Sequence, residues 1–227
     1  MQLITNEKLI QRNARIGGIL SLAGLIAMGL GVYLNFKRPD LANYSFAALI
    51  SGFMLAQIGL YFGNRWGRAR PTEKLLNDAL KGLSQQHKLY HYSSPASHLL
   101  VGPTGVWVLI PKYQRGTITY KNNRWRQSGG GLWLAYLKLL AQEGIGRPDL
   151  EIAAEVDAVS RFLKKHLPEN LIPPVNAVLV FTNPRAEVQA DDAPVPTVTL
   201  KKLKAALRSG KQIPPEKYTA VQQALES

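Results

Sequence analysis

Three histidines, His87, His91 and His98, fall within twelve residues of one another, and imidazole is the commonest metal ligand in proteins. On an extended chain, however, positions four apart lie about 13 Å from each other, too far to share an ion. The chain has no cysteine, which removes thiolate zinc sites and disulfides from consideration. A second chemistry is carried by charge. From Ala79 to Gln142 there are eight Lys or Arg (Lys81, Lys88, Lys112, Arg115, Lys121, Arg124, Arg126 and Lys138) and no Asp or Glu. Tyr113, Tyr120 and Trp125 are interleaved with five of them. Cations among aromatics suit a polyanion, with charges meeting phosphates and rings stacking on bases. The expected contacts are Lys112, Arg115, Lys121, Arg124 and Arg126, with Tyr113 and Trp125. Anionic lipid headgroups would attract the same patch. The run Gly129-Gly130-Gly131 lacks the Lys-Ser/Thr ending of a phosphate-cradling loop and reads as a linker.

The whole chain has 227 residues, 46% of them hydrophobic, and carries 28 Lys and Arg against 15 Asp and Glu, a formal charge of +13. Two stretches are free of charged residues, 21 residues from Ile16 to Phe36 and 24 from Leu41 to Asn64. As helices they reach about 31 to 36 Å, enough for a hydrocarbon core of about 30 Å. Membrane spans over about 16–36 and 43–64 are therefore expected, in preference to a buried hairpin of a soluble core or a cleaved leader. Six basic residues flank the pair on the outside (Lys8, Arg12, Arg15, Arg65, Arg68 and Arg70) and two lie in the connection (Lys37 and Arg38). By the positive-inside rule both termini face the cytoplasm. Trp66 and Tyr44 fit interfacial anchors. Small residues recur every four positions, as Ala23, Ala27, Gly31 and as Ala48, Gly52, Ala56, and such stripes allow close helix approach. Gly59, Gly63 and Gly67 form another, suited to packing within the hairpin or between subunits. No ionisable residue lies inside either span, so the pair reads as an anchor.

Residues 1–70 read as the membrane anchor, 71–190 as one cytoplasmic domain and 191–227 as a helical, basic tail. Leu75, Leu76, Ala79, Leu80 and Leu83 have helical spacing after Pro71. Short apolar runs at Lys88–Tyr92, Ser97–Val101, Gly105–Ile110 and Gly116–Tyr120 read as strands, the second and third joined by the tight turn Gly102-Pro103-Thr104-Gly105. In Gly105–Ile110 both faces are apolar, which predicts a central strand. Helices are expected over Leu132–Gln142 and Glu151–Leu167, an apolar strand over Val175–Phe181, and an amphipathic helix around Leu200, Leu203 and Leu207 bearing Lys201, Lys202, Lys204 and Arg208, with Lys211 just beyond. Docking of that helix onto the domain is expected over membrane insertion, because three leucines make a small apolar face. Pro194, Pro196, Pro214 and Pro215 mark loops on either side. The order describes an α/β layer fold.

The segment Ser97-His98-Leu99-Leu100-Val101-Gly102-Pro103-Thr104-Gly105-Val106-Trp107-Val108-Leu109-Ile110-Pro111-Lys112, followed by Gly116-Thr117-Ile118, resembles the central motif of the nuclease-related domain (NERD) family. The resemblance runs from about Arg70 to Arg185 and implies a PD-(D/E)XK-like α-β-β-β-α-β sandwich domain behind the transmembrane hairpin. In that family an Asp and a Glu hold a divalent cation, and a Lys assists the nucleophile. Matched residue by residue, Ser97 stands at the Asp position, Ile110 at the Glu position and Lys112 at the Lys position. Glu73 matches an acid on the first helix, and His98 matches the family's His, expected to support the cleft by hydrogen bonding. One carboxylate is a poor Mg²⁺ site.

The sequence thus points to a membrane-anchored, catalytically degenerate nuclease-related domain that binds nucleic acid or another polyanion at the cytoplasmic face, with no metal or cofactor. Lys112 is either a solvated lysine past a strand end or a retained phosphate-binding charge. Two other functions stay open. One is an active Mg²⁺-dependent nuclease whose acids are relocated to Glu151, Glu155 or Asp157, although Glu151 and Glu155, four apart, also suit a solvated helix face. The other is a protein- or lipid-binding module of a membrane assembly. The expected partners are the lipid bilayer, DNA or RNA, anionic headgroups and a membrane-protein partner.

Overall fold

The computed structural model describes residues 1–67, 71–128 and 145–227. The expected helix over Leu132–Gln142, the triple glycine, Lys138 and the orientation charges Arg68 and Arg70 lie outside the described residues. The chain forms two compact units, one of residues Asn6–Arg70 and one that unites Met1–Thr5 with Pro71–Ser227.

The first unit is a pair of long helices, α1 (Glu7–Lys37) and α2 (Ala42–Trp66), joined by a short 3-10 turn over Pro39–Leu41. Asn6 caps α1 by accepting the Leu9 amide at 3.0 Å. Both helices are long and apolar enough to cross a membrane. Only 17% and 11% of their most apolar windows are buried, so neither helix is enclosed in a core of this chain. Their outer faces present Leu25, Leu30, Phe36, Phe46, Phe53 and Leu60, each more than half exposed.

The seam between them differs from the four-residue stripes expected from sequence. The buried positions are Gly17, Gly24 and Gly31 on α1 and Ser45, Gly52 and Gly59 on α2, a seven-residue repeat on each helix. A spacing of 3.5 residues per turn keeps one seam facing its partner along the full length. A Cβ on Gly24 would lie 2.6 Å from both the Ala56 nitrogen and the Gly52 carbonyl oxygen, and one on Gly59 would lie 2.5 Å from the Ser21 nitrogen. The buried Ser45 hydroxyl donates to the Gly31 carbonyl at 2.6 Å, which satisfies it where water is absent. Around Gly63 a Cβ would meet nothing within 4 Å, although its backbone nitrogen lies 3.1 Å from where a Cβ on Gly17 would sit, so this glycine borders the seam without needing to be a glycine.

The second unit is layered. Its main sheet has the order β1-β2-β3-β4-β7-β9, built from β1 (Gln2–Thr5), β2 (Lys88–His91), β3 (His98–Gly102), β4 (Gly105–Lys112), β7 (Val175–Phe181) and β9 (Thr197–Thr199). β2, β3 and β4 form an antiparallel meander, while β1 pairs parallel to β2, β7 to β4 and β9 to β7. The Gly102–Gly105 turn closes the β3–β4 hairpin, Gly105 taking a φ of +114° that a side chain would resist. On one face Leu89, Leu100, Trp107 and Leu109 pack with Leu76 and Leu80 of α3 (Pro71–Leu80) and Leu203 and Leu207 of α5 (Leu200–Arg208). On the other, Leu99, Val108 and Ile110 pack with Ile152, Val159 and Leu163 of α4 (Pro148–His166) and Tyr218 and Val221 of α6 (Pro215–Glu226). β4 is apolar on both faces, as its alternation predicts, and sits inside the sheet.

A second, three-stranded sheet, β6-β5-β8, is formed by β5 (Gly116–Lys121), β6 (Arg124–Ser128) and β8 (Ala186–Gln189). It packs against the α4 side through Ile118, Trp125 and Val188. Two boundaries differ from the sequence reading. Residues 2–5, assigned to the anchor, are an edge strand of the domain's sheet. Residues 191–227, assigned to a tail, contribute β9, α5 and α6, whose Leu203, Leu207, Tyr218 and Val221 are buried. Burial of such side chains at about 25 cal/mol per Å² makes these helices part of the core and not an appendage.

Candidate polyanion-binding site

β5 and β6 are joined by Asn122 and Asn123, which both take positive φ, 51° and 60°. That is the pattern of a two-residue type I′ turn, which matches strand twist and which asparagine tolerates. Tyr120 Oη donates to Asn123 Oδ1 at 2.5 Å and steadies the turn. The turn fixes the register Lys121↔Arg124, Tyr120↔Trp125, Thr119↔Arg126. Alternation then sorts the side chains. Ile118, Tyr120 and Trp125 face inward, whereas Lys121, Arg124 and Arg126 face out.

Lys121, Arg124 and Arg126 are all exposed, and none is in an ion pair among the described residues. Lys121 and Arg124 stand directly opposite each other, an arrangement of like charges that costs stability. Nothing within the described fold offsets that cost. Arg115 opens the same hairpin, and its carbonyl accepts Gln127 Nε2 at 2.9 Å. Tyr113 beside it is 63% exposed.

Two members of the expected patch are placed otherwise. Trp125 is half-buried against the domain core with its ring 4.9 Å from that of Tyr120, so it is a packing residue and not a platform for bases. Lys112 is paired with Glu151 of α4, so its charge is already matched.

That pair belongs to a cleft between the ends of β3 and β4 and the first turns of α4. Ser97 Oγ donates to Glu155 Oε1 at 2.9 Å and the Ser97 amide donates to Oε2 at 3.3 Å. Glu151, although exposed, and the half-buried Glu155 each also hold one of the motif positions, Lys112 and Ser97. Asp157 pairs with Arg161 at 3.2 Å and stays out of this contact. Ile110 is 1% exposed and part of the core. A residue so enclosed by hydrocarbon cannot be exchanged in place for a metal ligand without large cost.

Glu73 is on α3, the helix that covers the opposite face of the sheet from α4. His98 also faces that side and not the Ser97–Lys112 side. The β2–β3 register sets it against His91, with Nδ1 to Nδ1 at 2.7 Å and His91 Nε2 to Asn77 Oδ1 at 2.9 Å. An amide oxygen only accepts, so His91 carries a proton on Nε2, and one of the two Nδ1 atoms donates to the other. The extended-chain estimate of separation overlooked this hairpin, which brings His91 and His98 together. His87 is separate and buried, bonded to Ser84 at 2.9 Å and Thr104 at 3.2 Å, and desolvation holds its imidazole below the ordinary basicity. Among the described residues no group of three or more His, Asp or Glu is placed to hold a metal ion.

A recess of about 440 Å³ between α4, β7 and residues 194–196 is lined mainly by Ile152, Val156, Val175 and Val195. Its carboxylate, Asp149, is bonded to Arg147 at 2.7 Å. It offers nothing to a polyanion. Comparison with family models, curated proteins and solved structures found no match to this chain.

Proposed function

We propose that this protein is a two-span membrane protein whose nuclease-like domain binds single-stranded nucleic acid, or a polyanion of like charge spacing, without cutting it. The observation that carries this reading is the outer face of β5–β6. Three exposed cations, two of them directly opposed, are held by a rigid turn with no acidic partner among the described residues. Such a face is stabilised when phosphates approach it. Tyr113 and Arg115 extend it toward the cleft.

With the small-sheet strands β5 and β6 set aside as an insertion, the elements α3, β2, β3, β4, α4, β7 run α-β-β-β-α-β, which supports the nuclease-like reading and the resemblance to nuclease-related domains. The loss of acids at 97 and 110 and the closed Lys112–Glu151 pair support inactivity. Both termini are assigned to the cytoplasmic side. The six-to-two charge asymmetry favours this, and so does β1. It precedes the hairpin yet belongs to the same sheet as the strands that follow it, so a hairpin crossing a bilayer twice begins and ends on the side of that sheet.

A second reading has its own observation. Glu155 is bonded to Ser97, at the position of the missing motif Asp, and Glu151 one turn away is paired with Lys112, so relocated acids could hold Mg²⁺ there. Incubation of the full chain in detergent with single- and double-stranded DNA and RNA, with Mg²⁺ or Mn²⁺, separates the two. Binding without scission is expected. Metal-dependent scission abolished by Glu151→Gln and by Lys112→Ala would establish the nuclease instead.

A further inference from the structure

The cationic helix of residues 200–208 is docked on the domain, and its docking creates a second basic surface unrelated to the β5–β6 face. Leu203 and Leu207 are fully buried, which turns Lys201, Lys202 and Arg208 outward, all exposed. Lys204 reaches across to the Lys81 carbonyl and ties α5 to the end of α3. On α3, Leu76 and Leu80 are likewise buried while Lys74 is exposed, as is Lys81 beyond its end. The two helices lie side by side on one apolar cluster. The two helices, with Lys81 at the end of α3, carry five exposed cations and the half-buried Lys204 against one exposed carboxylate, Asp78. None of the six is in an ion pair among the described residues.

We propose that this α3–α5 face binds anionic phospholipid headgroups of the membrane that holds the hairpin; it rests on the reading of the hairpin as an anchor. Two observations choose lipid over nucleic acid. Neither α3 nor α5 contains an aromatic residue, so bases have no ring to stack on, whereas a headgroup phosphate needs charge alone. And α3 begins five positions after Trp66, the last residue of α2. A juxtamembrane cluster of cations so tethered meets headgroups at high effective concentration. The docking of α5 on the apolar cluster presents these charges as a fixed surface of the domain and not as a mobile polybasic tail.

The test uses the full chain reconstituted in nanodiscs of phosphatidylcholine with and without phosphatidylglycerol. Lysines are acetylated with a water-soluble reagent and quantified residue by residue. Lys74, Lys201 and Lys202 should label several-fold more slowly in the anionic discs, and the protection should vanish at high salt. The exposed Lys164 and Lys165 at the end of α4 serve as controls and should not change. In the variant Lys74→Gln, Lys201→Gln, Lys202→Gln, whose changed positions are all exposed, the lipid-dependent hydrogen-exchange protection of α3 and α5 amides should be lost. Equal labelling in both disc types, or protection by single-stranded DNA in place of lipid, overturns the proposal. A chain that stays soluble and enters no disc overturns the anchor itself, an outcome visible before any lysine is read.

Discussion

Lys112 and His87 show how much a single side chain's surroundings decide. The Lys112–Glu151 pair is partly exposed, 18% and 44%, and such pairs contribute about 0–1 kcal/mol. Its larger effect is on binding, because a lysine already matched has no charge to offer phosphate. Glu151→Gln should leave stability within about 1 kcal/mol and should steepen the salt dependence of polyanion binding by roughly 0.7, one added phosphate contact to a single strand. Filter binding across a salt series reads this, and an unchanged slope would show that Lys112 does not reach the ligand. His87 carries the pH prediction. Burial lowers its folded-state affinity for protons relative to the unfolded chain. The stability it contributes is therefore complete above the ordinary imidazole value of about 6.5 and is lost as pH falls toward the lowered one. The melting temperature in detergent should drop below about pH 6.5, and His87→Gln should flatten that drop.

At the scale of elements, much of the fold is legible because alternation and helical spacing state it directly. β4, with Val106, Val108 and Ile110 on one side and Trp107 and Leu109 on the other, is a central strand from pattern alone. β7 is equally plain. Short polar strands are not: β6 reads Arg-Trp-Arg-Gln-Ser, and only the Asn122-Asn123 pair before it signals the turn that pairs it with β5. β1 is missed because four residues next to a long apolar helix carry no period of their own, and its pairing to β2 spans more than eighty positions. The seam of the hairpin is only partly legible, for a different reason: Gly31 and Gly52 of the four-residue stripes lie in it, but its period is seven. Both the four-residue stripes and the seven-residue repeat Gly17, Gly24, Gly31 are present, and only the contact surface chooses between them. Gly24→Val should therefore be costly, since even its first carbon would fall 2.6 Å from backbone atoms of α2. A loss of roughly 1–3 kcal/mol is expected from overpacking, measured by thermal unfolding in detergent. Gly29→Ala, with nothing within 4 Å, should be neutral. Equal melting temperatures for the two variants would remove the seam.

Across the whole molecule, charge is distributed by function more than by fold. The chain's formal charge of +13 lies outside the two apolar spans, at the ends of the hairpin, on the β5–β6 outer face and on the α3–α5 face. The candidate site was half legible. A basic run among aromatics is the signal behind the polyanion proposal, but which side chains are exposed depends on strand register, which turns Trp125 toward the core and leaves Lys121, Arg124 and Arg126 outside. The most direct measurement is the salt dependence of single-stranded DNA binding by the full chain in phosphatidylcholine nanodiscs, set beside the variant Lys121→Gln, Arg124→Gln, Arg126→Gln. The account predicts a slope of log affinity against log salt that is shallower in the variant by about 2, from three phosphate contacts at roughly 0.7 each, with melting temperature unchanged or raised. Equal affinity and equal slope in the two proteins would contradict it.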